Sequence, residues 1–256
     1  DQLDGGQGRD LLKGGKGDDR YWVDNTKDRI IEKSGNGQDS VFASVDWTLG
    51  RHIEDLTLQG SNPLLGKGNA LANQLTGNAA DNFLNGRKHN DTLLGKAGND
   101  RLKGDLGRDK LVAGDGNDVL LGGKGNDRLR GNTGKDTLHG GLGADLLSGG
   151  NGSDTFAYQQ PTQGGDTITD FKRAQGDKLS FTGKNFGGLV NGQLAEKRFV
   201  ANAAGLAKTD QQWFVFNTST QTLFFDPDGN GSKPQTAIAS FTGLSANLRY
   251  KDIVIT

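Results

Sequence analysis

The chain has 256 residues, of which 42 are glycine and none is cysteine or methionine, and its formal net charge is −1. Only 32% of the residues are hydrophobic, whereas globular domains have about 45–50% of apolar residues, glycine included. These values exclude disulfides, thiolate metal sites and cysteine nucleophiles, and they indicate that something besides an apolar core must offset the entropy lost on folding.

Residues 1–22 contain two nine-residue units, GGQGRDLLK and GGKGDDRYW. Each unit has an aspartate in its sixth position, Asp10 and Asp19, and a large apolar residue in its eighth. We interpret this segment as a first block of repeats. The chain opens at the sixth position of such a unit, so we expect it to be a piece of a longer protein.

The repeat is lost in residues 23–67. Apolar residues alternate there in three stretches, Arg29 to Glu32, Ser40 to Asp46 and Ile53 to Gln59, which predicts short strands. Ser34-Gly-Asn-Gly37 predicts a turn, and Asp39 ends a half-motif, GNGQD. We predict that this segment adds coils with longer loops to the same solenoid and has a structural role.

Residues 68–157 contain ten consecutive units without a shift of frame. The unit at residues 122–130, GGKGNDRLR, is the least degenerate. The eighth position is always a large apolar residue: Leu75, Leu84, Leu93, Leu102, Leu111, Leu120, Leu129, Leu138, Leu147 and Phe156. After Asn73 and Asn82, the sixth position is always an aspartate: Asp91, Asp100, Asp109, Asp118, Asp127, Asp136, Asp145 and Asp154. A nonapeptide of this form is a known signature of calcium-binding parallel β-helices.

The spacing of the apolar residues makes stacking obligatory, because a short strand around one leucine has no core of its own. If each unit supplies a turn and a short strand, two units form one coil, and the leucines alternate between two facing sheets. Five coils at the inter-strand spacing form a rod of roughly 24 Å. The sequence therefore predicts an all-β fold, a parallel β-roll.

The turns offer the oxygen ligands that Ca²⁺ prefers, namely carboxylates and backbone carbonyls brought close by glycine, which also allows left-handed backbone angles. We predict that each site is shared by units i and i+2, and that without a cation each edge is a column of like charges. Binding and folding should then be one event. The predicted metal-binding glycines are Gly95, Gly98, Gly104, Gly107, Gly114, Gly116, Gly122, Gly123, Gly125, Gly131, Gly134, Gly140, Gly141, Gly143, Gly149 and Gly152.

Several units depart from the pattern. Asn73 and Asn82 offer a neutral amide, which is a weaker ligand than a carboxylate, so those coils should stack without tight Ca²⁺. Arg87 and His89 replace glycines, which predicts a weak site at Asp91. Ala113 and Asn132 are milder departures.

Residues 158–256 lack the period but contain most of the strand-like aromatic sequences, including Trp213 to Phe216 and Thr222 to Phe225. We predict that these pack a small sandwich-like core against the roll. Between them and the next apolar stretch, Asp226, Asp228 and Asn230 have the spacing of the first EF-hand ligands, with glycine at the sixth place. The twelfth place is Ala237 instead of glutamate, so either an Asx-stabilised hairpin or a weak calcium site fits.

The repeats resemble those of bacterial RTX proteins, the repeats-in-toxin group that includes haemolysins, proteases, lipases, epimerases and adhesins. The sequences DTITDF at Asp166 to Phe171 and GDKLSF at Gly176 to Phe181 resemble the pair that follows the last RTX repeat, which implies a cap on the open end of the roll. The rest resembles the family's C-terminal β region, so the resemblance implies a C-terminal antiparallel β cap. KDIVIT at the end resembles the C-terminus of type I secretion substrates. The resemblance implies a secreted, extracellular protein that leaves the cell unfolded and folds on external Ca²⁺.

The resemblance divides the chain into a first repeat block (1–22), a degenerate segment (23–67), the main roll (68–157) and a C-terminal capping and secretion domain (158–256). No signal peptide or membrane-spanning run is evident. Its partners would be the type I secretion machinery and, for an alternative binding role, an anionic polysaccharide or cell surface.

Enzyme motifs are missing from this sequence. The three histidines do not form HExxH, and GxSxG and a P-loop are absent. Scattered basic residues without interleaved aromatics argue against nucleic acid. Three hypotheses remain: a non-catalytic calcium-dependent folding and secretion module, which we prefer; a binding module for a polysaccharide or cell surface; and the C-terminal part of an enzyme that contributes to its active site.

Outward basic residues favour the second hypothesis, although solubility also explains them. They are divided between the two predicted sheets, so no broad single-sided patch follows. These residues are Lys96, Arg101, Lys103, Arg108, Lys110, Lys124, Arg128, Arg130 and Lys135.

Overall fold

The computed structural model of the chain describes residues 1–35 and 37–256. Within this part of the chain every regular element is a β-strand or a three-residue 3₁₀ helix, which confirms the all-β prediction. None of the described helices is long and apolar enough to cross a membrane. The 3₁₀ helices are Pro161–Gln163, Arg173–Gln175, Gly183–Asn185, Glu196–Arg198 and Tyr250–Asp252.

The strands fall into three groups along the chain. The N-terminal strands are β1 (Gln2–Asp4), β2 (Leu11–Leu12), β3 (Arg20–Val23), β4 (Arg29–Ile30), β5 (Ser40–Ala43), β6 (Trp47–Thr48), β7 (Asp55–Leu58), β8 (Leu65–Lys67) and β9 (Gln74–Thr76). The regular repeats form β10 (Phe83–Lys88), β11 (Thr92–Ala97), β12 (Arg101–Leu106), β13 (Lys110–Asp115), β14 (Val119–Lys124), β15 (Arg128–Thr133), β16 (Thr137–Leu142), β17 (Leu146–Asn151) and β18 (Thr155–Tyr158). The C-terminal strands are β19 (Asp166–Ile168), β20 (Lys178–Phe181), β21 (Gly192–Gln193), β22 (Phe199–Asn202), β23 (Phe214–Asn217), β24 (Thr222–Phe225), β25 (Thr236–Phe241) and β26 (Ile253–Ile255).

These strands build two facing sheets, which we call the long sheet and the short sheet. The long sheet has 14 strands in the order β1-β3-β5-β7-β9-β11-β13-β15-β17-β19-β25-β24-β23-β22. The short sheet has 10 strands in the order β21-β26-β20-β18-β16-β14-β12-β10-β8-β6, and β2 and β4 form a separate pair. Consecutive repeats therefore alternate between the sheets, and two repeats make one coil.

The register of the strands places identical positions of the repeat on top of one another. Leu111 of β13 pairs with Leu129 of β15, and Leu120 of β14 pairs with Leu138 of β16, an offset of 18 residues in both sheets. All ten residues of the eighth position, Leu75 to Phe156, are at most 2% exposed. The core is therefore a double column of leucines between the sheets, as the period predicts.

Residues 23–67 continue the same solenoid, which confirms their interpretation as coils with longer loops. Strand β5 pairs with β3 on one side and with β7 on the other, and β7 pairs with β9 of the regular block. Strands β4, β5 and β7 are shorter than predicted but lie within the three predicted stretches, whereas β6 and β8 lie outside them. The predicted turn at residues 34–37 includes Asn36, which lies outside the described residues.

The C-terminal region differs from the prediction in two respects. The segments at Asp166 and Gly176 do not close the roll: β19 and β20 pair in parallel with β17 and β18 and add one more coil. The aromatic strands extend the long sheet itself instead of packing against the roll from outside. Strands β25, β24, β23 and β22 continue its order, and the pairing from β25 to β23 is antiparallel, which confirms the predicted antiparallel strands at the C-terminus. The sequence does not reveal this continuity because the nonapeptide period is lost. The number of residues between strands changes, but the strands still pair along the same two sheets.

Aromatic rings replace the leucine columns between these last strands. Phe181 stacks on Tyr158 at a centroid distance of 5.4 Å and contacts Phe186 and Phe214 at 4.9 and 4.8 Å. Phe225 lies 5.0 Å from Phe186. The residues are at most 4% exposed, so the aromatic core predicted for this region is present.

An ion pair fastens the last strand to the added coil. Arg173 donates from Nε to both carboxylate oxygens of Asp252 at 3.0 Å and from Nη2 to Oδ2 at 2.8 Å. Asp252 is 2% exposed and also accepts the backbone N–H of Arg249. The following strand, β26, lies in the short sheet between β20 and β21.

Candidate calcium-binding sites

The aspartates of the sixth position form two ladders, one at each edge of the roll. One oxygen of each carboxylate, Oδ1, accepts the backbone N–H of the aspartate or asparagine 18 residues earlier, at 2.6 to 3.0 Å. One ladder contains Asp91, Asp109, Asp127 and Asp145, and the other contains Asp100, Asp118, Asp136 and Asp154. The structure thus links unit i with unit i+2, as predicted.

The second oxygen of each of these carboxylates has no such partner. In all eight aspartates from Asp91 to Asp154, Oδ2 is buried and accepts no hydrogen bond from any described residue. Burying an ionised carboxylate oxygen without a hydrogen-bond partner costs roughly 1–3 kcal/mol or more. A row of such atoms is therefore the signature of a missing electropositive partner.

Backbone carbonyls converge on the same places. A Cβ atom added to Gly122 would lie 2.5 Å from Asp127 Oδ2 and 2.4 Å from the carbonyl oxygen of Gly140. The same holds at Gly131, with Asp136 Oδ2 at 2.2 Å and the Gly149 oxygen at 2.5 Å. Carboxylate and carbonyl oxygens from successive coils thus meet beside a glycine, which is the donor set of a hard cation such as Ca²⁺.

The first-position glycines are needed for this space and not for unusual backbone angles, which corrects the sequence-based expectation. Gly95, Gly104, Gly122, Gly131, Gly140 and Gly149 are absent from the residues with positive φ, yet a Cβ at each would lie within 2.5 Å of an aspartate Oδ2. The predicted left-handed angles occur instead in the second and fourth positions. They are adopted by Gly98, Gly107, Gly114, Gly116, Gly123, Gly125, Gly134, Gly141, Gly143 and Gly152.

Five other residues adopt left-handed angles in the same positions. Arg87, Lys96, Asp105 and Asn132 occupy the second position, and His89 occupies the fourth, with φ between 68° and 91°. Such angles cost a residue with a side chain about 1–2 kcal/mol. The stacking of the coils therefore imposes this turn geometry, even on units whose second or fourth residue is not glycine.

The asparagine units satisfy their turns without a charge. Asn73 Nδ2 donates to the carbonyl oxygens of Ile53 and Glu54 at 3.2 and 3.0 Å. Asn69, in the second position, donates to the carbonyl oxygens of Gly50 and Ile53 at 2.7 Å. The amide groups thus donate to carbonyl oxygens at the Asn73 corner, so these oxygens have hydrogen-bond donors without a cation.

The N-terminal block repeats the ladder with steps of 18 and 20 residues. Asp28 accepts the backbone N–H of Asp10 at 3.0 Å, and Asp39 accepts that of Asp19 at 2.9 Å. Oδ2 of Asp10 and of Asp19 is buried without a described hydrogen-bond partner. Glu32, which the sequence did not single out, brings a carboxylate oxygen within 4.8 Å of those of Asp19 and Asp39.

The sequence also missed three aspartates beyond the last repeat. Asp166 and Asp177 accept the backbone N–H groups of Asp145 and Asp154 at 3.0 Å, so they continue the two ladders by one step. Asp170 accepts the N–H groups of Gly149 and Gly150 at 3.0 and 2.9 Å and the Ser148 hydroxyl at 2.7 Å. The sixth-position rule could not find them because their offset is 20 to 23 residues instead of 18.

The ladders perturb the acidity of their members. Burial, followed by the neighbouring carboxylates, raises the pKa of Asp91, Asp100, Asp127 and Asp136 to about 7 and that of Asp109 to about 6. Burial likewise raises the pKa of Asp154 to about 6 and that of Asp166 to about 8. Protons and a divalent cation therefore compete for the same oxygens.

The EF-hand-like residues lie apart from the ladders, in the connection between β24 and β25. Asp226 is 3% exposed, Asp228 is half-buried and Asn230 is exposed. Burial raises the pKa of Asp226, and the neighbouring Asp228 carboxyl raises it further. The structure thus brings Asp226 and Asp228 together and leaves Asn230 on the surface.

The family comparison agrees with this geometry. Residues 1–30, 67–102, 94–129 and 121–156 match the family model of the RTX calcium-binding nonapeptide repeat, in four copies. The matched residues therefore contain RTX calcium-binding nonapeptide repeats. The chain is a Ca²⁺-binding module, and the matched ranges contain Asp10, Asp19 and all eight aspartates of the regular ladders. No curated protein matches the chain.

The close approach between coils predicts a large effect of Gly125→Ala. A Cβ at this position would lie 1.6 Å from the carbonyl oxygen of Gly107, and φ is +134°. We expect the free energy of unfolding in saturating Ca²⁺ to fall by about 3 kcal/mol or more, measured by chemical denaturation. Gly50→Ala is the matched control, because its Cβ would meet only Ile53 Cδ1 at 3.7 Å. Equal effects of the two substitutions would contradict the packing described here.

The raised pKa values predict that acid partly replaces the cation. The folded-state pKa of about 6 to 7 for the ladder aspartates lies above the unfolded value of about 4, so the folded state binds more protons. In calcium-free buffer, the contribution of these groups to the free energy of unfolding is thus greatest below pH 4. This contribution is lost as the pH rises towards 7. We expect a stronger β signal in circular dichroism at pH 5 than at pH 8, and a smaller pH dependence in saturating Ca²⁺. A β signal that grows from pH 5 to pH 8 without calcium would contradict this.

Proposed function

We propose that this chain is a non-catalytic module that folds when it meets extracellular Ca²⁺ and that carries the secretion signal of a larger protein. The observation that carries the proposal is the unpaired Oδ2 atom repeated in every ladder aspartate from Asp91 to Asp154. Each carboxylate is held by a backbone N–H from the preceding coil and lies beside another carboxylate. Without a cation, the native stack is opposed at every step.

The proposal includes export by type I secretion machinery in an unfolded state. It is supported by the matched RTX repeats and by the absence of cysteine, and the low cytosolic calcium concentration would keep the ladders unstable before export. The C-terminal residues are the proposed signal. An export assay with a reporter fused to the N-terminus of this chain, in cells with and without a type I exporter, tests this part.

The chain itself is proposed to contribute no catalytic group. The repeat accounts for its many paired carboxylates as metal ligands, and the three histidines lie apart in the sequence, at His52, His89 and His139. Protease, lipase and polysaccharide lyase assays on the isolated chain should be blank. Turnover that a ladder substitution such as Asp127→Asn abolishes while the fold persists would assign it to an enzyme instead.

Calcium-dependent folding gives the direct prediction. In a chelator at pH 7.5, circular dichroism should show a mostly disordered chain, and added Ca²⁺ should restore the β spectrum, whereas Mg²⁺ should not because it demands smaller octahedral cages. Asp127→Asn should raise the calcium concentration at the midpoint at least about tenfold.

Asp115→Asn is the control, since Asp115 is exposed and lies outside the ladders. A β-rich spectrum that survives chelation at this pH, or equal midpoints for the two variants, would contradict the proposed function.

A second function is favoured by a cluster of cations on the outer face of the long sheet. Lys110 and Arg128 are exposed neighbours on adjacent strands, and Arg130 lies two residues further along the same strand. Directly opposed like charges destabilise a sheet, so their retention points to an anionic partner. Together with Leu94 and Leu146 they line a shallow groove, which suits a chain of uronate or sulfate sugars. Arg101 and Lys103 lie on the short sheet, so the cluster is narrow, as expected.

Calorimetry with alginate in saturating Ca²⁺ tests this second function. The double variant Arg128→Gln/Arg130→Gln should bind at least about tenfold more weakly, and binding should weaken with salt. Arg101→Gln/Lys103→Gln, on the opposite sheet, should bind like the wild type. Absence of heat with the wild type, or equal losses in the two variants, would remove this function.

A further inference from the structure

The loop between β24 and β25 contains two acidic side chains that the ladders do not explain. It runs from Asp226 to Gln235 in the C-terminal region, which lies outside the segments matched by the repeat family. Strand β24 begins this connection as the antiparallel partner of both β23 and β25. The loop therefore belongs to the part of the molecule that is built by aromatic packing.

In each of the two carboxylates, only one oxygen accepts a hydrogen bond. Asp226 Oδ2 accepts a hydrogen bond from Gln235 Nε2 at 3.1 Å, and Asp228 Oδ2 accepts one from the backbone N–H of Lys233 at 3.0 Å. The other oxygen of each, Oδ1, is buried and has no hydrogen-bond partner within residues 1–35 and 37–256. Asp226 is only 3% exposed, so bulk water does not donate hydrogen bonds to its Oδ1 atom.

The backbone of the loop is shaped around these side chains. Gly231 packs so closely on Asp228 that a Cβ there would lie 2.2 Å from Oδ2. Gly229 has φ +66°, and a Cβ there would lie 2.3 Å from the carbonyl oxygen of Thr209. The hydrogen bonds from Lys233 and Gln235 hold the two carboxyls towards the loop interior, which is more than a turn stabilised by its own aspartate requires.

We propose that Asp226 and Asp228 hold a divalent cation, with Ca²⁺ as the fitting ion, at a site separate from the repeat ladders. The ligands are Asp226 Oδ1 and Asp228 Oδ1, and water completes the coordination of six to eight oxygens because Ala237 replaces the bidentate glutamate of an EF-hand loop. Asn230 is exposed and is not required. The site decides between the two interpretations of this turn in favour of a metal site.

The consequence of this site is local. It orders the connection between β24 and β25, which packs on the segment that carries Thr209 through Gly229, and it does not join coils. Its two carboxylates come from one loop, whereas each ladder site uses residues 18 positions apart. The proposal therefore does not rest on calcium-dependent folding of the repeats.

The test counts calcium ions bound per chain. The full chain is equilibrated with excess CaCl₂, and bound calcium is measured by equilibrium dialysis for the wild type, Asp228→Asn and Asp226→Asn. Asparagine keeps an acceptor for Lys233 or Gln235 and removes the charge, so each variant should bind one ion fewer with an unchanged β spectrum. Asp228 is half-exposed, so Asp228→Asn keeps the test valid if Asp226→Asn fails to fold.

The control is Asp210→Asn, an exposed acid next to Thr209 whose substitution should leave the number of bound ions unchanged. In crystals grown with calcium, an anomalous peak about 2.3–2.6 Å from both Oδ1 atoms is expected. Equal counts in the wild type and Asp228→Asn, an equal loss in Asp210→Asn, or no peak would each overturn the site. Failure of Ca²⁺ to fold the repeats would instead contradict the proposed function and leave this count intact.

Discussion

Stacked aspartates are the constraint on which the rest of this structure depends. Each coil places a buried carboxylate against a backbone N–H of the preceding coil, and the free oxygen faces a carbonyl and a neighbouring acid. This arrangement is unfavourable unless positive charge is supplied between the coils. The leucine columns alone bury one large side chain per nine residues, which is little apolar area to offset the conformational entropy of so many glycines. The interior of the solenoid alone therefore offers little stabilisation per residue, and the edges determine whether the coils stack.

The molecule has two kinds of core, which are stabilised by different interactions. In the repeats, every strand depends on its neighbours through the ladders, so stability is shared along the stack. In the C-terminal region, Phe181, Phe186, Phe214 and Phe225 form a contiguous aromatic cluster, and the partly exposed Arg173 pairs with the buried Asp252. The chain thus has one segment with unpaired, buried carboxylates at its edges and one segment that is stabilised by ordinary packing.

Most of the roll could be predicted because its period is exact in the residues that decide the fold. The unbroken eighth position fixes the offset of 18 residues, and the offset fixes which aspartates meet. The added coil at Asp166 and Asp177 could not be predicted in this way, because the connections there lengthen and the acids drop out of frame. The role of Glu32 was equally hidden, since it depends on a loop whose path brings a distant carboxylate back to Asp19 and Asp39.

The sheet order of the aromatic strands shows the same limit. Strand propensity located β23 and β24 to within a residue at either end, but it carried no information on which edge they would join. Of the two reasons expected for glycine in the first position, close approach applies and an unusual backbone angle does not. Backbone angle and close approach both select glycine, and only coordinates separate them.

The two ends of the rod are not equivalent, and this affects how such a molecule can change length. At the C-terminal end, the strands that follow β19 and β20 differ in spacing and pairing from the strands of the repeats. A unit inserted there would therefore disrupt the aromatic core. In the middle, consecutive coils have the same register and contacts. A duplication or deletion of eighteen residues there would restore the identical junction, so this architecture can be lengthened or shortened by whole coils while its covered end stays unchanged.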